Sequence, residues 1–387
     1  MADLTACDLP PDRAHGHETG ASDGADTPEV DVLGRPENEN GGPIASFGRF
    51  IARDGSLGGT VGLDLDRPHV VSVVGKRGSG KSYTLGVVAE GLAKTRGVTG
   101  IVIDTMGVYA GLEELGALRH TQPQLSPASN PPELWPTMVG LDPTSPAGGL
   151  VWRAAAHVDS IQAMRTCIQD SRAEEAAVRT ADNHLALVDS WGCFAANGLD
   201  ATDLFTPELT VLDCSTIPEP AKVAVVGAVA RLLYDHAITT EPARLPWLLV
   251  DEAHASYRGA ARPALDTLLT RGRQPGLSVA LATQRPSALP AVALSQTDLL
   301  VAHRLTTTSD IDALAGIHPT YLEGRLGDRL PPRPGDALLV DDTTEAAATV
   351  RIRERHTTHG GASPRASERS QPAAARSPGS RSESRKD

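Results

Sequence analysis

The feature that most constrains this chain is the run Gly75-Lys76-Arg77-Gly78-Ser79-Gly80-Lys81-Ser82, set between an apolar stretch, His69–Val74, and a helix-forming stretch, Lys81–Thr95. A G-x-x-x-x-G-K-S loop between a strand and a helix is a phosphate-binding device. Its glycines let successive N–H groups converge on phosphate oxygens with no Cβ in the way. The helix that follows aims the positive end of its dipole at the same oxygens. In such a loop Lys81 reaches the β- and γ-phosphates and the Ser82 hydroxyl ligates Mg²⁺. The block Gly75–Ser82, with Tyr83 after it, is therefore the expected cradle for ATP and Mg²⁺.

Hydrolysis at such a cradle needs a metal-holding acid and a group that lines up water, because loose phosphoryl transfer depends on positioning and charge neutralisation. Trp247-Leu248-Leu249-Val250-Asp251-Glu252-Ala253-His254 is an apolar strand that delivers two carboxylates at its carboxyl end, the edge of a parallel sheet where ligands sit. Asp251 is expected to hold Mg²⁺ together with Ser82, and Glu252 to polarise the attacking water. A further strand, Ser278–Ala282, ends in Thr283-Gln284-Arg285-Pro286-Ser287. From there Gln284 could touch both the γ-phosphate and the water.

Strands and helices alternate across the middle of the chain, the mark of an α/β fold. Phe47–Ala52 and Thr60–Leu65 read as a short β-hairpin entry. Gly100–Asp104, Leu209–Leu212, Trp247–Val250, Ser278–Ala282 and Leu299–Ala302 read as core strands, and Ala337–Val340 and Ala347–Ile352 as a late antiparallel pair. Between about 110 and 205 the pattern is helical and irregular, suggesting an inserted subdomain. The expected organisation is an acidic tail over 1–44, a nucleotide-binding domain over 45–357 and a basic Ser/Arg-rich tail over 358–387. The first 44 residues carry ten acidic residues, two arginines and almost no large apolar groups, too little to offset the entropy of ordering them. The net charge is −12, with five lysines against 31 arginines, a balance suited to a halophile's cytosol, where salt screens self-repulsion. Cys7, Cys167, Cys193 and Cys214 form no C-x-x-C pair and read as reduced thiols. With no signal-peptide pattern and no apolar run near 18 residues, a cytoplasmic protein without membrane spans is expected.

Beyond the phosphate loop, five blocks occur in a characteristic order. They are Val102-Ile103-Asp104-x-x-Gly107-x-Tyr109, Asp251-Glu252-Ala253-His254, Arg271-Gly272-Arg273-x-x-Gly276, Thr283–Ser287, and Arg304-Leu305 with Asp310. With the ending Arg351–Gly361, these resemble the HerA/FtsK superfamily of P-loop ATPases, nearest its archaeal HerA branch. The resemblance implies a RecA-like (ASCE) fold with a mostly parallel central sheet. It further implies a homohexameric ring with ATP at subunit interfaces, duplex DNA in the channel and a possible nuclease partner. Arg273 matches the family arginine that reaches the nucleotide's phosphates. The family's arginine ahead of the phosphate-loop strand falls in Arg67-Pro68-His69, where His69 holds the expected position and Arg67 could substitute. Val108 stands where the family has an acid, and the amino-terminal β-barrel is reduced to the Phe47–Leu65 hairpin. The implied activity is ATP-driven movement of DNA. A conjugation or secretion ATPase and a nucleotide-dependent switch are the alternatives.

Overall fold

Short apolar runs between polar turns pair as strands, and the order of pairing decides which loops meet. The computed structural model describes residues 30–36, 39, 41–315, 321 and 324–361. Twelve described strands form one sheet: β1 (Val30–Leu33), β2 (Ile44–Ile51), β3 (Leu57–Asp64), β4 (Val70–Val74), β5 (Val98–Asp104), β6 (Leu118–Thr121), β7 (Thr210–Asp213), β8 (Leu245–Val250), β9 (Ser278–Thr283), β10 (Leu299–Ala302), β11 (Asp336–Asp341) and β12 (Ala346–Ile352). Their order is β1-β3-β2-β12-β11-β10-β4-β9-β8-β5-β7-β6. From β10 to β6 every pairing is parallel, whereas β11, β12, β2 and β3 are joined antiparallel.

Strands covered on both faces need apolar residues at every position, and β5, β7 and β9 are buried throughout. Alternate residues feed two cores. Val102, Trp247, Leu249, Ala280 and Ala282 pack with Leu85, Val88 and Leu92 of helix α1 (Lys81–Lys94). Ile101, Ile103, Leu248, Val250, Val279 and Leu281 face the other side. There they join the helical insertion, whose main helices are α2 (Pro146–Ala155), α3 (Ile161–Gln169) and α4 (Glu175–Asp189), and two long helices, α5 (Glu219–Thr239) and α6 (Ala261–Arg271). The layered α/β architecture expected from the sequence, with its entry hairpin and late antiparallel pair, is the one observed.

Three boundaries differ. Val30–Leu33 lies inside the stretch expected to be a disordered tail, yet it pairs in parallel with β3. It is held by Gly34 N–H donating to Asp341 (2.8 Å) and by an Arg35–Asp64 ion pair. Residues 1–29 of that expected tail lie outside the described residues. At the far end, the chain stays packed to Gly361 rather than leaving the domain at 358. The expected insertion also contributes β6, an edge strand on β7, while residues 362–387 of the basic tail lie outside the described residues.

Candidate nucleotide site

Parallel pairing of β4, β9, β8 and β5 brings their carboxyl ends side by side, so the loops after Val74, Thr283, Val250 and Asp104 converge. The loop after β4 is tied down at its rim. Gly75 N–H donates to Thr283 O (3.3 Å), Lys76 N–H to Arg304 O (2.8 Å), and Ser79 N–H and Oγ to Lys76 O (3.2 and 2.8 Å). By contrast, the amides of Gly78, Gly80, Lys81 and Ser82 donate to no acceptor among the described residues. Gly78 and Gly80 have φ of 76° and 121°, a backbone open to glycine and strained for other residues. Adjacent unpaired amides at a helix start form an anion nest.

Lys81 is buried (5 % exposed), with Nζ 3.3 Å from Lys76 O. Burial lowers its pKa, and the nearby charges of Glu252 and Asp251 oppose that shift. Asp251 is fully buried. Its Oδ2 accepts from the Tyr109 hydroxyl (2.9 Å) and its Oδ1 from the Glu252 amide (2.9 Å). Glu252 itself sits in the left-handed region, at φ 50°, a conformation costly for a residue with a Cβ and found where surroundings impose it. Burial, then the Asp251 charge, raise its pKa, against Lys81, the Gln284 amide and Arg77. A carboxylate made more basic in this way is better at drawing a proton from water. His254 Nδ1 lies 3.3 Å from Glu252 Oε2 and 3.2 Å from Thr283 Oγ1, and burial holds its pKa down.

Lys81, Asp251, Glu252, Gln284 and the loop Gly75–Ser82 are therefore brought together. Arg273 is not. It is exposed and lies just ahead of β9, at the amino-terminal edge of the sheet, on the far side from the phosphate loop; its guanidinium makes no hydrogen bond or ion pair with a described residue. His69 is at that same edge but only 3 % exposed, with Nδ1 2.8 Å from Asp298 Oδ2 and Nε2 3.5 Å from Asp64 Oδ2. Burial opposes its charge, but Asp298 and Asp64 outweigh burial and bring its pKa to about 9. His69 is thus enclosed and cannot reach another chain's phosphates, whereas Arg67, paired with Glu39, stays partly exposed. Tyr83, expected among the nucleotide-binding residues, instead has its hydroxyl accept the Arg355 N–H at 2.6 Å.

The sequence reading missed His303 and gave Asp104 and Tyr109 only as parts of a motif, without their roles. Asp104, fully buried, accepts the amides of Met106, Gly107 and Val108 at Oδ1 and of Tyr109 at Oδ2. Burial raises its pKa against those four donors. This wraps the loop that delivers Tyr109 to Asp251. His303, also fully buried, joins Thr84 Oγ1 (2.9 Å) to Asp336 O (2.8 Å) beneath the phosphate loop. Burial depresses its pKa to about 4, so it braces the loop as a neutral ring. The candidate donors for a divalent ion are Ser82 and Asp251, and no cluster of three or more His, Cys, Asp or Glu side chains suited to a metal exists among the described residues. A hard oxygen pair short of a full cage fits Mg²⁺, which keeps several waters and shares phosphate oxygens.

Residues 46–144 match the family model for the central domain of the helicase HerA. No curated protein matches the chain in sequence. VirB4 of Thermoanaerobacter pseudethanolicus has the same fold with a TM-score of 0.64 at 17% identity, over 83% of this chain and 99% of that one. The bacterial conjugative coupling protein TrwB, unbound, gives 0.55 at 14% identity over 84% and 96% of the two chains. TrwB in complex with the non-hydrolysable GTP analogue GDPNP gives 0.53 at 16% identity over 75% and 86%.

Proposed function

We propose that this chain is a P-loop ATPase of the HerA/FtsK kind, which hydrolyses Mg-ATP and uses the energy to move duplex DNA through a ring of its own copies. The observation that carries the reading is the convergence of unpaired loop amides, Lys81, Asp251 and a Glu252 of raised basicity at one sheet edge. The amides and Lys81 hold the triphosphate. Ser82 and Asp251 would hold Mg²⁺, which when bound neutralises phosphate charge. Glu252 orients water for in-line attack, and Gln284, whose backbone N–H faces Glu252, completes the water's shell.

The opposite edge supports the ring reading. Arg273 is exposed there and Arg67, paired with Glu39, partly so, both across the sheet from their own chain's loop, so each could reach a nucleotide only on a neighbouring copy. A head-to-tail contact of that kind closes into a ring when the rotation between copies brings the last onto the first. Grip on DNA would be through phosphates, independent of sequence and weakened by salt. A conjugation-type task is the second reading, favoured by the fold shared with the coupling protein TrwB. Among the described residues no helix is long and apolar enough to cross a membrane.

The test is the ATPase rate at high potassium with and without duplex DNA, alongside oligomer mass. A DNA-stimulated rate in a hexamer supports the motor. An unstimulated rate with copurifying envelope proteins favours the conjugation task, and no turnover in any state refutes the enzyme.

A further inference from the structure

Beyond β12, residues 353–361 run along α1 from Glu90 to Tyr83 and reach the loop after β5 at Val108, and they are heavily anchored. The anchor is Glu90 on α1, fully buried. Its carboxylate accepts from Thr357 N–H (2.9 Å) and Oγ1 (2.7 Å), His356 N–H (3.1 Å), Arg353 Nη1 (2.7 Å) and Arg355 Nε (3.4 Å). Burial would raise its pKa; the Thr357 hydroxyl, Arg353 and the two amides outweigh burial and hold it at about 2.

The surface beneath is shaped to receive this segment. A Cβ at Gly86 would lie 2.6 Å from Arg355 Nη1, and one at Gly111 would collide with the Thr358 carbonyl. Gly360 N–H donates to Val108 O (3.2 Å), and the His359 ring meets Tyr83 edge-on at 5.4 Å.

Arg355 lies at the centre. Its side chain is 1 % exposed, its Nη2 donates to Thr357 Oγ1 (2.7 Å), and its Nη1 lies 3.1 Å from His359 Nδ1. Its guanidinium carbon sits 5.9 Å from the centroid of the Tyr109 ring, within the range of a cation–π contact. Tyr109 is fully buried and spends its hydroxyl on Asp251 Oδ2. Drawing density from the ring makes that hydroxyl a stronger donor. Buried ion pairs such as Arg355–Glu90 add little net stability over apolar packing, so stability alone does not account for this arrangement.

We propose that residues 353–361 form a strap that positions the metal-holding carboxylate: Arg355, seated by Glu90, acts through Tyr109 to fix Asp251. Arg355 and Tyr109 are positioning residues, and the proposal rests on the ATPase reading above. Groups that hold a metal ligand in place typically contribute one to two orders of magnitude to metal affinity.

The test uses the full-length protein and a fluorescent ATP analogue titrated with Mg²⁺ and with EDTA. Arg355→Met and Tyr109→Phe each lower the Mg²⁺-dependent gain in affinity on the order of tenfold and leave affinity in EDTA unchanged. Arg355→Lys, which keeps a cation over the ring, loses no more than about threefold. The double variant Arg355→Met/Tyr109→Phe is no weaker than the worse single one, because both act on one path. An equal loss in EDTA, or additive losses in the double variant, overturns the proposal. Should Arg355→Met fail to fold, Tyr109→Phe, which removes one oxygen atom, carries the same test. Wild-type protein that binds no nucleotide overturns the ATPase reading as well. Normal binding with unmoved Mg²⁺ dependence in Tyr109→Phe overturns the strap alone.

Discussion

The two edges of the central sheet are built to opposite plans. At the carboxyl edge, Lys81, Asp251 and Glu252 crowd together with little exposure, and the Asp251 charge bears on the ionisation of both Lys81 and Glu252. At the amino edge, His69 is locked between Asp64 and Asp298 while Arg273 projects into solvent without a partner among the described residues. One edge concentrates charged groups of both signs. The other fixes a rigid corner and holds a cation outward. A single copy therefore carries a nucleotide cradle and, about a strand's length away, a cation its own cradle cannot use. This difference is what the proposed contact between copies rests on.

Breaking the carboxyl edge has the largest effect. Lys81→Ala removes the cation that reaches the phosphates, and nucleotide affinity measured by fluorescence titration falls by about 1000-fold or more. Glu252→Gln keeps the site's shape and removes its basicity; turnover drops on the order of 1000-fold while ATP stays bound, which a filter-binding assay reads directly. At the amino edge, Arg273→Ala leaves the affinity of a dilute single chain unchanged and lowers turnover of the assembled protein roughly 100-fold. Unchanged turnover would remove Arg273 from the reaction.

The smallest effect concerns the locked corner. The pKa of His69 is raised to about 9 from 6.5. Its ion pairs thus stabilise the fold fully below pH 6.5, and that contribution is lost as pH rises through about 9. The loss is at most about 3 kcal/mol. Thermal melts between pH 6 and 10 should show this decline in the wild type and a flatter profile in His69→Gln. Parallel profiles would mean that His69 is not charged in the folded state.

The carboxyl edge was largely legible in the sequence because its chemistry is local. The phosphate loop places its amides, lysine and serine within eight residues, and Asp251 and Glu252 directly follow an apolar run. Apolar continuity likewise marked the parallel strands. What stayed hidden depends on partners far apart in the chain. Tyr109 reaches Asp251 across 142 positions, and Glu90 meets Thr357 across 267. Neither Val30–Leu33 nor Leu118–Thr121 announces itself: each has only four residues, one of them polar in the first and three in the second, and each is a strand only because a neighbour offers an edge. Residue type could not show that His69 is enclosed and Arg273 free, since that difference comes from Asp64 and Asp298 closing around one and nothing closing around the other.

The most direct test of the claim that two copies make one site mixes two inactive proteins. Lys81→Ala supplies an intact Arg273, and Arg273→Ala supplies an intact cradle. Random rings from equal amounts contain about one fully competent contact in four. The steady-state ATPase rate of the mixture should therefore recover to about a quarter of the wild-type rate. A mixture no more active than the mean of its two parents would contradict a site shared between copies.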